Sequence, residues 1–354
     1  MPIRILFISD THLGFDLPFK PRIERRRRGP DFFKNFEIAL APAYNKEVDA
    51  IVHGGDLFFR SKVPPHLVQM AFEPLIKAAD MGIPVYLVPG NHERSAIPYR
   101  LLAAHNNIHI FDRPKTFLLE TRGTTLALAG FPYVRLNIRS LFPQVLADTG
   151  WQKTPADARV LCMHHCAEGA SLIMGSRLYT FRDNHDVIKL SDIPTGFAAV
   201  LSGHIHRFQA LTRDLQGNSI PVPVFYPGSI ERTSFTEKDE AKGYLILEIQ
   251  PGAGIENWQF HKLPARPMTQ LELHANGIEA AALKTWLKKA LAPLSLDSVV
   301  KIGIHGRLPN DSLEVLCAES LRALTPPTMN LTVTLPDYRK GRREANQDGK
   351  MIFK

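Results

Sequence analysis

The chain has 354 residues, 44% of them apolar, and a formal net charge of +8, which allows one large core plus a smaller module and suits a phosphate-rich partner without proving one. No stretch approaches the roughly 18 unbroken apolar residues of a bilayer span, and the first residues lack the apolar segment and cleavage site of a signal peptide. Three scattered cysteines, Cys162, Cys166 and Cys317, exclude a disulfide framework, so a cytoplasmic protein without membrane association is expected.

The first aliphatic run, Ile5-Leu6-Phe7-Ile8, leads into Ser9-Asp10-Thr11-His12. Short β-branched and aliphatic runs bounded by Gly or Pro read as buried strands. A basic stretch from Lys20 to Gly29, with Arg25 to Arg28 at its centre, follows. It either meets a substrate backbone or is a solvated charge run. Phe32, Phe33, Phe36, Ala39 and Leu40 recur at helical spacing and predict a helix over about 31–44. The second run, Ala50-Ile51-Val52, ends in His53-Gly54-Gly55-Asp56, and a helix packing Leu67, Met70, Ala71, Leu75 and Ile76 is expected over 66–80. The third, Val85-Tyr86-Leu87-Val88, ends in Pro89-Gly90-Asn91-His92-Glu93. Strand, motif and helix thus alternate as in an α/β fold.

Short strands are expected over 107–134, a loop with a short helix over 135–158, and a strand Val160–Met163 running into His164-His165. A weakly patterned stretch leads to Ala198–Leu201 and Ser202-Gly203-His204-Ile205-His206, after which 221–226, 243–249 and 258–260 read as strands. The loop from Pro227 to Phe235, rich in Gly and hydroxyls, is expected to offer amides and hydroxyls to an anion. Leu263-Pro264-Ala265-Arg266-Pro267 is the boundary signal: residues 1–263 form the larger domain and 267–336 a small α+β module, with a basic tail over 337–354. Within the module, strands 268–274, 299–305 and 328–334 alternate with helices 278–291 and 311–322.

Asp10, His12, Asp56, Asn91, His164, His204 and His206 all stand at ends of expected strands, where ligands collect in α/β sheets. One carboxylate bridging two divalent ions, with three further ligands for each, uses all seven. Two such ions and two aspartates leave a centre of about one net positive charge once a bridging hydroxide is bound, which draws in anionic oxygens. The same pair activates the hydroxide for in-line attack at phosphorus. His92 does not easily share the orientation of Asn91 and is assigned to protonate the leaving oxygen or to donate to the developing charge. Taken singly, each histidine reads as an ordinary core or surface residue. Seven such groups at five strand ends would instead bury charge with nothing to pair it. His53, His66, His105, His109 and His185 lack that context, and His165 is undecided.

These motifs resemble the calcineurin-like metallophosphoesterase superfamily, whose Asp-x-His, Gly-Asp, Gly-Asn-His, lone His and Gly-His-x-His signature runs in order through residues 1–262. Ser9-Asp10-Thr11-His12-Leu13-Gly14, Gly54-Gly55-Asp56-Leu57-Phe58 and Pro227-Gly228-Ser229 are similar to the SbcD-type DNA-repair nucleases. The resemblance implies a four-layer αββα sandwich with a small C-terminal α+β capping domain. It implies two metal ions, manganese first with iron, zinc or magnesium as alternatives, and exonuclease or endonuclease action on DNA. It also implies a homodimer working with an SMC-like ATPase of the SbcC type. By the same resemblance Asp10, His12, Asp56 and His206 hold one metal, Asp56, Asn91, His164 and His204 the other, and His92 is catalytic.

The sequence departs from the pattern in two ways. Phe59 stands where many relatives have an Asp or His supporting the catalytic His, which leaves the orientation of His92 open and makes processive exonuclease action less firmly implied than phosphodiester hydrolysis. No obvious amphipathic helices for gripping an ATPase follow the module, so a stand-alone enzyme or a shortened chain is the other expectation. A phosphatase or diesterase for small nucleotides or phosphoproteins is the alternative activity. The protein-phosphatase branch, however, follows its Gly-Asp with an Asp three residues on, then Arg and Gly, unlike Gly55-Asp56-Leu57-Phe58-Phe59-Arg60-Ser61. A non-catalytic scaffold would show lost ligands, and all seven are present.

Overall fold

The N-terminal strand β1 (Ile3–Ile8) sends Ile3, Ile5 and Phe7 to one face and Leu6 and Ile8 to the other in the computed structural model, which describes residues 2–16, 28–93, 102, 104–175 and 177–335. The same period of two recurs in β2 (Ala50–His53) and β3 (Val85–Leu87). After β4 (Ile108–Ile110), β5 (Lys115–Thr121) and β6 (Thr124–Gly130) comes β7 (Ala158–Met163), in which Val160 and Cys162 face one way and Leu161 and Met163 the other. The short strands β8 (Cys166–Ala167), β9 (Ser171–Met174), β10 (Arg177–Thr180) and β11 (Val187–Ile188) occupy the weakly patterned stretch. Then follow β12 (Ala199–Ser202), β13 (Gln209–Arg213), β14 (Ser219–Tyr226), β15 (Gly243–Gln250) and β16 (Gly254–Lys262).

Two six-stranded sheets result, in the orders β16-β15-β1-β2-β3-β4 and β13-β14-β12-β7-β6-β5. Strands β1 to β4 are mutually parallel, as are β14, β12, β7 and β6, while the outer hairpin strands are antiparallel. Ile3, Ile5, Phe7, Ala50 and Val52 from the first sheet pack against Val160, Cys162, Ala199 and Leu201 from the second, forming the central core. Each large aliphatic chain so buried contributes roughly 1.5–3 kcal/mol, and a one-residue slip of any strand would turn its set outward. Register is thereby fixed, and with it the height at which each strand ends.

The outer faces are covered by helices. On the first sheet, α1 (Gly29–Tyr44) lays down Phe32, Phe36, Ala39, Leu40 and Ala43, and α2 (Pro65–Asp80) lays down Leu67, Val68, Ala71, Phe72 and Leu75. Met70, expected in that core, is 44% exposed, because it falls on the opposite side of α2. On the second sheet α3 (Ile138–Asp148) buries Ile138, Phe142 and Leu146. Helix, sheet, sheet and helix are the layers of this mixed α/β fold.

The described residues from Arg266 onward form a second compact unit. Its strands β17 (Met268–His274), β18 (Val299–His305) and β19 (Asn330–Thr334) make a parallel sheet in that order. Leu283, Leu287 and Leu291 of α4 (Ala280–Leu291) pack on Val300, Ile302 and Ile304. The single helix expected over 311–322 is two, α5 (Asn310–Val315) and α6 (Ala318–Leu324), because Cys317 leaves helical geometry and its sulfur caps the amide of Ser320. The tail over 337–354 lies outside the described residues.

Candidate metal centre

Beyond their strand ends, β1 and β2 stay laced together: the amides of Asp10, His12 and Leu13 donate to the carbonyls of Gly55, Asp56 and Leu57 at 2.9, 3.0 and 2.8 Å. The turns needed to do so are unusual. Eight described non-glycine residues have positive φ, and Asp10 (51°), His12 (43°), Asp56 (52°) and His204 (82°) are four of them. Such backbone costs of order 1–3 kcal/mol per residue and clusters at functional sites. Close approach adds a second constraint. A Cβ on Gly203 would lie 2.1 Å from Ser9 Oγ and 2.3 Å from the Gly54 carbonyl oxygen, so both loops have closed onto bare backbone. Gly203→Ala is therefore expected to destabilise the fold by about 2–3 kcal/mol, read as a lower urea midpoint. An unchanged midpoint would mean that the loops are not held this tightly.

The seven side chains converge. Asn91 Oδ1 lies 3.1 Å from His164 Nε2 and 2.8 Å from His204 Nδ1. Asp56 Oδ2 lies 3.5 Å from His164 Nε2 and 4.0 Å from His12 Nε2. His206 Nε2 is 2.9 Å from His12 Nε2 and 3.9 Å from Asp10 Oδ1. Three interlocking groups, Asp10–His12–His206, His12–Asp56–His92 and Asp10–Asp56–His164, each bring their donor atoms within 4.8 Å.

Tautomers follow from the outer partners. His164 Nδ1 meets the Gly54 carbonyl at 2.7 Å and His206 Nδ1 meets Glu237 Oε1 at 3.1 Å. Since those oxygens only accept, both Nδ1 atoms carry the proton, and a neutral ring then turns its Nε2 lone pair inward. Burial, with His206 beside it, pushes the pKa of His12 well below the ordinary histidine range. His206 Nε2, its lone pair inward, lies 2.9 Å from His12 Nε2, a spacing that a shared proton or a cation can bridge. Burial likewise raises Asp10, an effect that His164 and His206 only partly offset. Burial opposes the charge of Asp56 too, but His164 and His12 hold its carboxyl well below the carboxylate range. The charge on His164 is resisted by burial and restored by Asp56 and Asp10, which lift its pKa to about 9. The mixed carboxylate, amide-oxygen and imidazole set fits transition metals. The residues therefore fit a metal pair.

His92 joins the cluster from the side. Its Nε2 is 3.8 Å from Asp56 Oδ2, its backbone amide donates to Asp56 Oδ1 at 2.9 Å, and its Nδ1 donates to the Phe59 carbonyl at 2.6 Å. The orientation left open by Phe59 is thus set by that residue's backbone, while its ring packs edge-on against Phe15.

Other expectations are corrected. Ser229, expected to face an anion, is fully buried and gives its hydroxyl to the Glu231 carbonyl and its amide to His206. Thr233 and Ser234 turn their hydroxyls onto Glu237. That loop holds His206 in position. Of Arg25 to Arg28 only Arg28 lies within the described residues, and it is buried, facing the Arg232 carbonyl and Glu231 across 3.7 Å, not a substrate.

Several supporting residues are not apparent from the sequence. His53, whose sequence context suggests no role, bridges Thr11 Oγ1 and the Gly55 amide, and burial lowers its pKa to about 3. Glu93 accepts from the amides of Gly90, Phe58 and Asp56 at 2.6, 3.0 and 3.2 Å, stitching two of the loops. Its place right after His92 is the one available signal. Glu237 and Lys242 have none. His165 accepts from the Val134 amide and stacks on Tyr133, so it belongs to the wall.

A mixed sandwich with buried carboxylates, an amide oxygen and imidazoles gathered at its strand ends defines a candidate metal centre. A family model described as calcineurin-like phosphoesterase matches residues 3–208, and the chain belongs to that family. It is 27% identical over 217 residues to the DNA double-strand break repair protein Mre11 of Saccharolobus solfataricus, covering 60% of this chain and 51% of that one. It is 27% identical over 319 residues to a component of the SbcCD nuclease of Bacillus subtilis, covering 80% and 75%. With the Mre11 of Haloferax volcanii identity is 29% over 280 residues, covering 78% and 56%. The chain thus spans about half the length of the first of these relatives. No helix of the described residues is long and apolar enough to cross a membrane.

Proposed function

We propose that the chain is a two-metal phosphodiesterase that hydrolyses DNA, as the names of its relatives suggest for them. The reading is carried by the convergence of seven donor side chains from five strand ends of two sheets, four of them on strained backbone. In this proposal Asp10, His12, Asp56 and His206 hold one ion and Asp56, Asn91, His164 and His204 the other, with manganese the first choice. When bound, such a pair acidifies a water and clamps the attacking and leaving oxygens at phosphorus. Asp56 sets the spacing by facing both groups. Ser9 Oγ and the His204 amide fix Asp10 at 2.6 and 3.1 Å, leaving little reorganisation on loading. His92, tethered through Nδ1, is free at Nε2 to give a proton to the leaving oxygen in its protonated form. Residues 267–336 are proposed as a cap, and an SMC-like ATPase of the SbcC type as a partner.

The test is hydrolysis of end-labelled single- and double-stranded DNA and of bis-p-nitrophenyl phosphate across manganese, magnesium and zinc, with a chelator arm. Cleavage of both, lost in chelator and restored by manganese, is expected. His92→Ala should lower kcat by about 10²–10⁴-fold without loss of bound manganese. Turnover of phosphomonoesters or cyclic nucleotides with DNA left intact would overturn the nuclease assignment.

A further inference from the structure

Asp56 is tied to its neighbours on two sides. Toward Asn91 the tie is Glu93, which accepts from the amides of Asp56 and Gly90 at 3.2 and 2.6 Å. Toward Asp10 it runs through His53 and Thr11, both fully buried. The Gly55 amide can only donate, so the Nδ1 it meets at 3.2 Å is the unprotonated nitrogen of His53. Nε2 of the neutral ring then carries the proton and donates to Thr11 Oγ1 at 3.1 Å. The Thr11 hydroxyl donates in turn to the Leu57 carbonyl at 3.0 Å. Every donor in this relay is used, and its direction is fixed.

The two ends of the relay give it a role. Thr11 stands between Asp10 and His12, while Gly55 and Leu57 flank Asp56. Asp10, His12 and Asp56 all hold left-handed backbone, which persists only where the surroundings over-determine it. The backbone bonds between these loops leave from Asp10, His12 and Leu13, and the relay adds a side-chain tie at the residue between the two ligands. It therefore bears on how Asp56 Oδ2 meets His12 Nε2, now 4.0 Å away. Asn91, His164 and His204 come from other strand ends and have no part in it.

We propose that His53 and Thr11 are positioning residues for one ion of the pair: they hold Asp56 against Asp10 and His12, and so set the affinity of the Asp10–His12–Asp56–His206 site without setting that of the other. The inference rests on the two-ion reading above. The test strips the full chain with chelator, titrates it with manganese and follows electron paramagnetic resonance, which counts free ions and detects coupling between a bound pair. The parent should take up two ions and develop the coupled signal. Thr11→Val, nearly isosteric, should weaken one binding step by about 10–100-fold, leave the other within about twofold, and move the coupled signal to correspondingly higher manganese. Thr11→Ser keeps the hydroxyl and should match the parent. His53→Asn, too short to reach Thr11, should match Thr11→Val, and the double variant should be no weaker than either, because both changes break the same relay. On a His206→Ala background, where that site is already impaired, Thr11→Val should change the remaining step by less than about twofold. Equal weakening of both steps, a further loss on the His206→Ala background, or failure of Thr11→Val to fold overturns the proposal, since the relay would then hold the fold and not one ion. If the parent binds two ions and Thr11→Val binds them as tightly, the two-ion reading stands and the positioning role alone falls. If the parent never takes a second ion, that reading falls and the proposal with it.

Discussion

Asp56→Asn is expected to lower manganese-dependent phosphodiester hydrolysis by at least about 10³-fold and to reduce bound manganese to one ion or fewer per chain. The change is nearly isosteric. The carboxamide oxygen still accepts from the His92 amide, now at 2.9 Å from Oδ1, and the Glu93 staple on the Asp56 amide is untouched. Folding should therefore survive. What is lost is the charge on Oδ2, the atom that faces His164 at 3.5 Å, His92 at 3.8 Å and His12 at 4.0 Å. Asp10 also lies within 4.8 Å of His12 and of His164, but among the described residues Asp56 alone brings one carboxylate oxygen within 4.0 Å of both. Elemental analysis beside initial rates over a manganese series separates the two effects. A variant that keeps two ions and a near-parental rate at saturating manganese would remove Asp56 from the role of bridge.

The donors are legible because each is covalently next to a strand, and a strand is legible by its own short-range pattern. Ile8 to His12 and Leu201 to His206 need no distant information beyond the rule that parallel strands end on the same side. What that rule does not reveal is that β1, β2 and β3 lie in one sheet and β7 and β12 in another. Alternation alone fits a residue buried on both faces in either sheet. The supporting shell is illegible for a different reason. A hydroxyl or arginine in a loop has the same letter whether it faces solvent or turns inward, so Ser229 reads as a group for an anion and Arg28 as a substrate contact or a solvated charge, although both are buried against the protein's own backbone. The orientation of His92 depends on a carbonyl oxygen at Phe59, and every residue type has one there. Glu237 reaches His206 across 31 positions with no motif to announce it.

That last contact leads to the largest expected loss of stability. Lys242 is fully buried, and its ammonium group sits 2.7 Å from Glu237 Oε2, 3.2 Å from Glu240 Oε2 and 2.8 Å from the His206 carbonyl oxygen. Burial would raise the pKa of Glu237, yet His206 and Lys242 together hold it well below the carboxylate range, so the acid is ionised inside the protein. Lys242→Met keeps the volume and removes the ammonium group that lies within reach of both carboxylates. Breaking one side of a buried pair costs about 3–5 kcal/mol, mostly from the charge left behind. Lys242→Met should therefore lower the free energy of urea unfolding by that much in chelator. Adding Glu237→Gln should recover about half, because the second change removes the stranded charge that the first created. The double variant should nevertheless bind manganese more weakly by about 10–100-fold, since a neutral amide oxygen holds His206 Nδ1–H more weakly than the carboxylate does and leaves Nε2 a poorer donor to metal. Stability and metal affinity would then part company: the first restored, the second not. A single variant within about 1 kcal/mol of the parent, or a double variant no more stable than the single, would show that the three groups do not act as one unit.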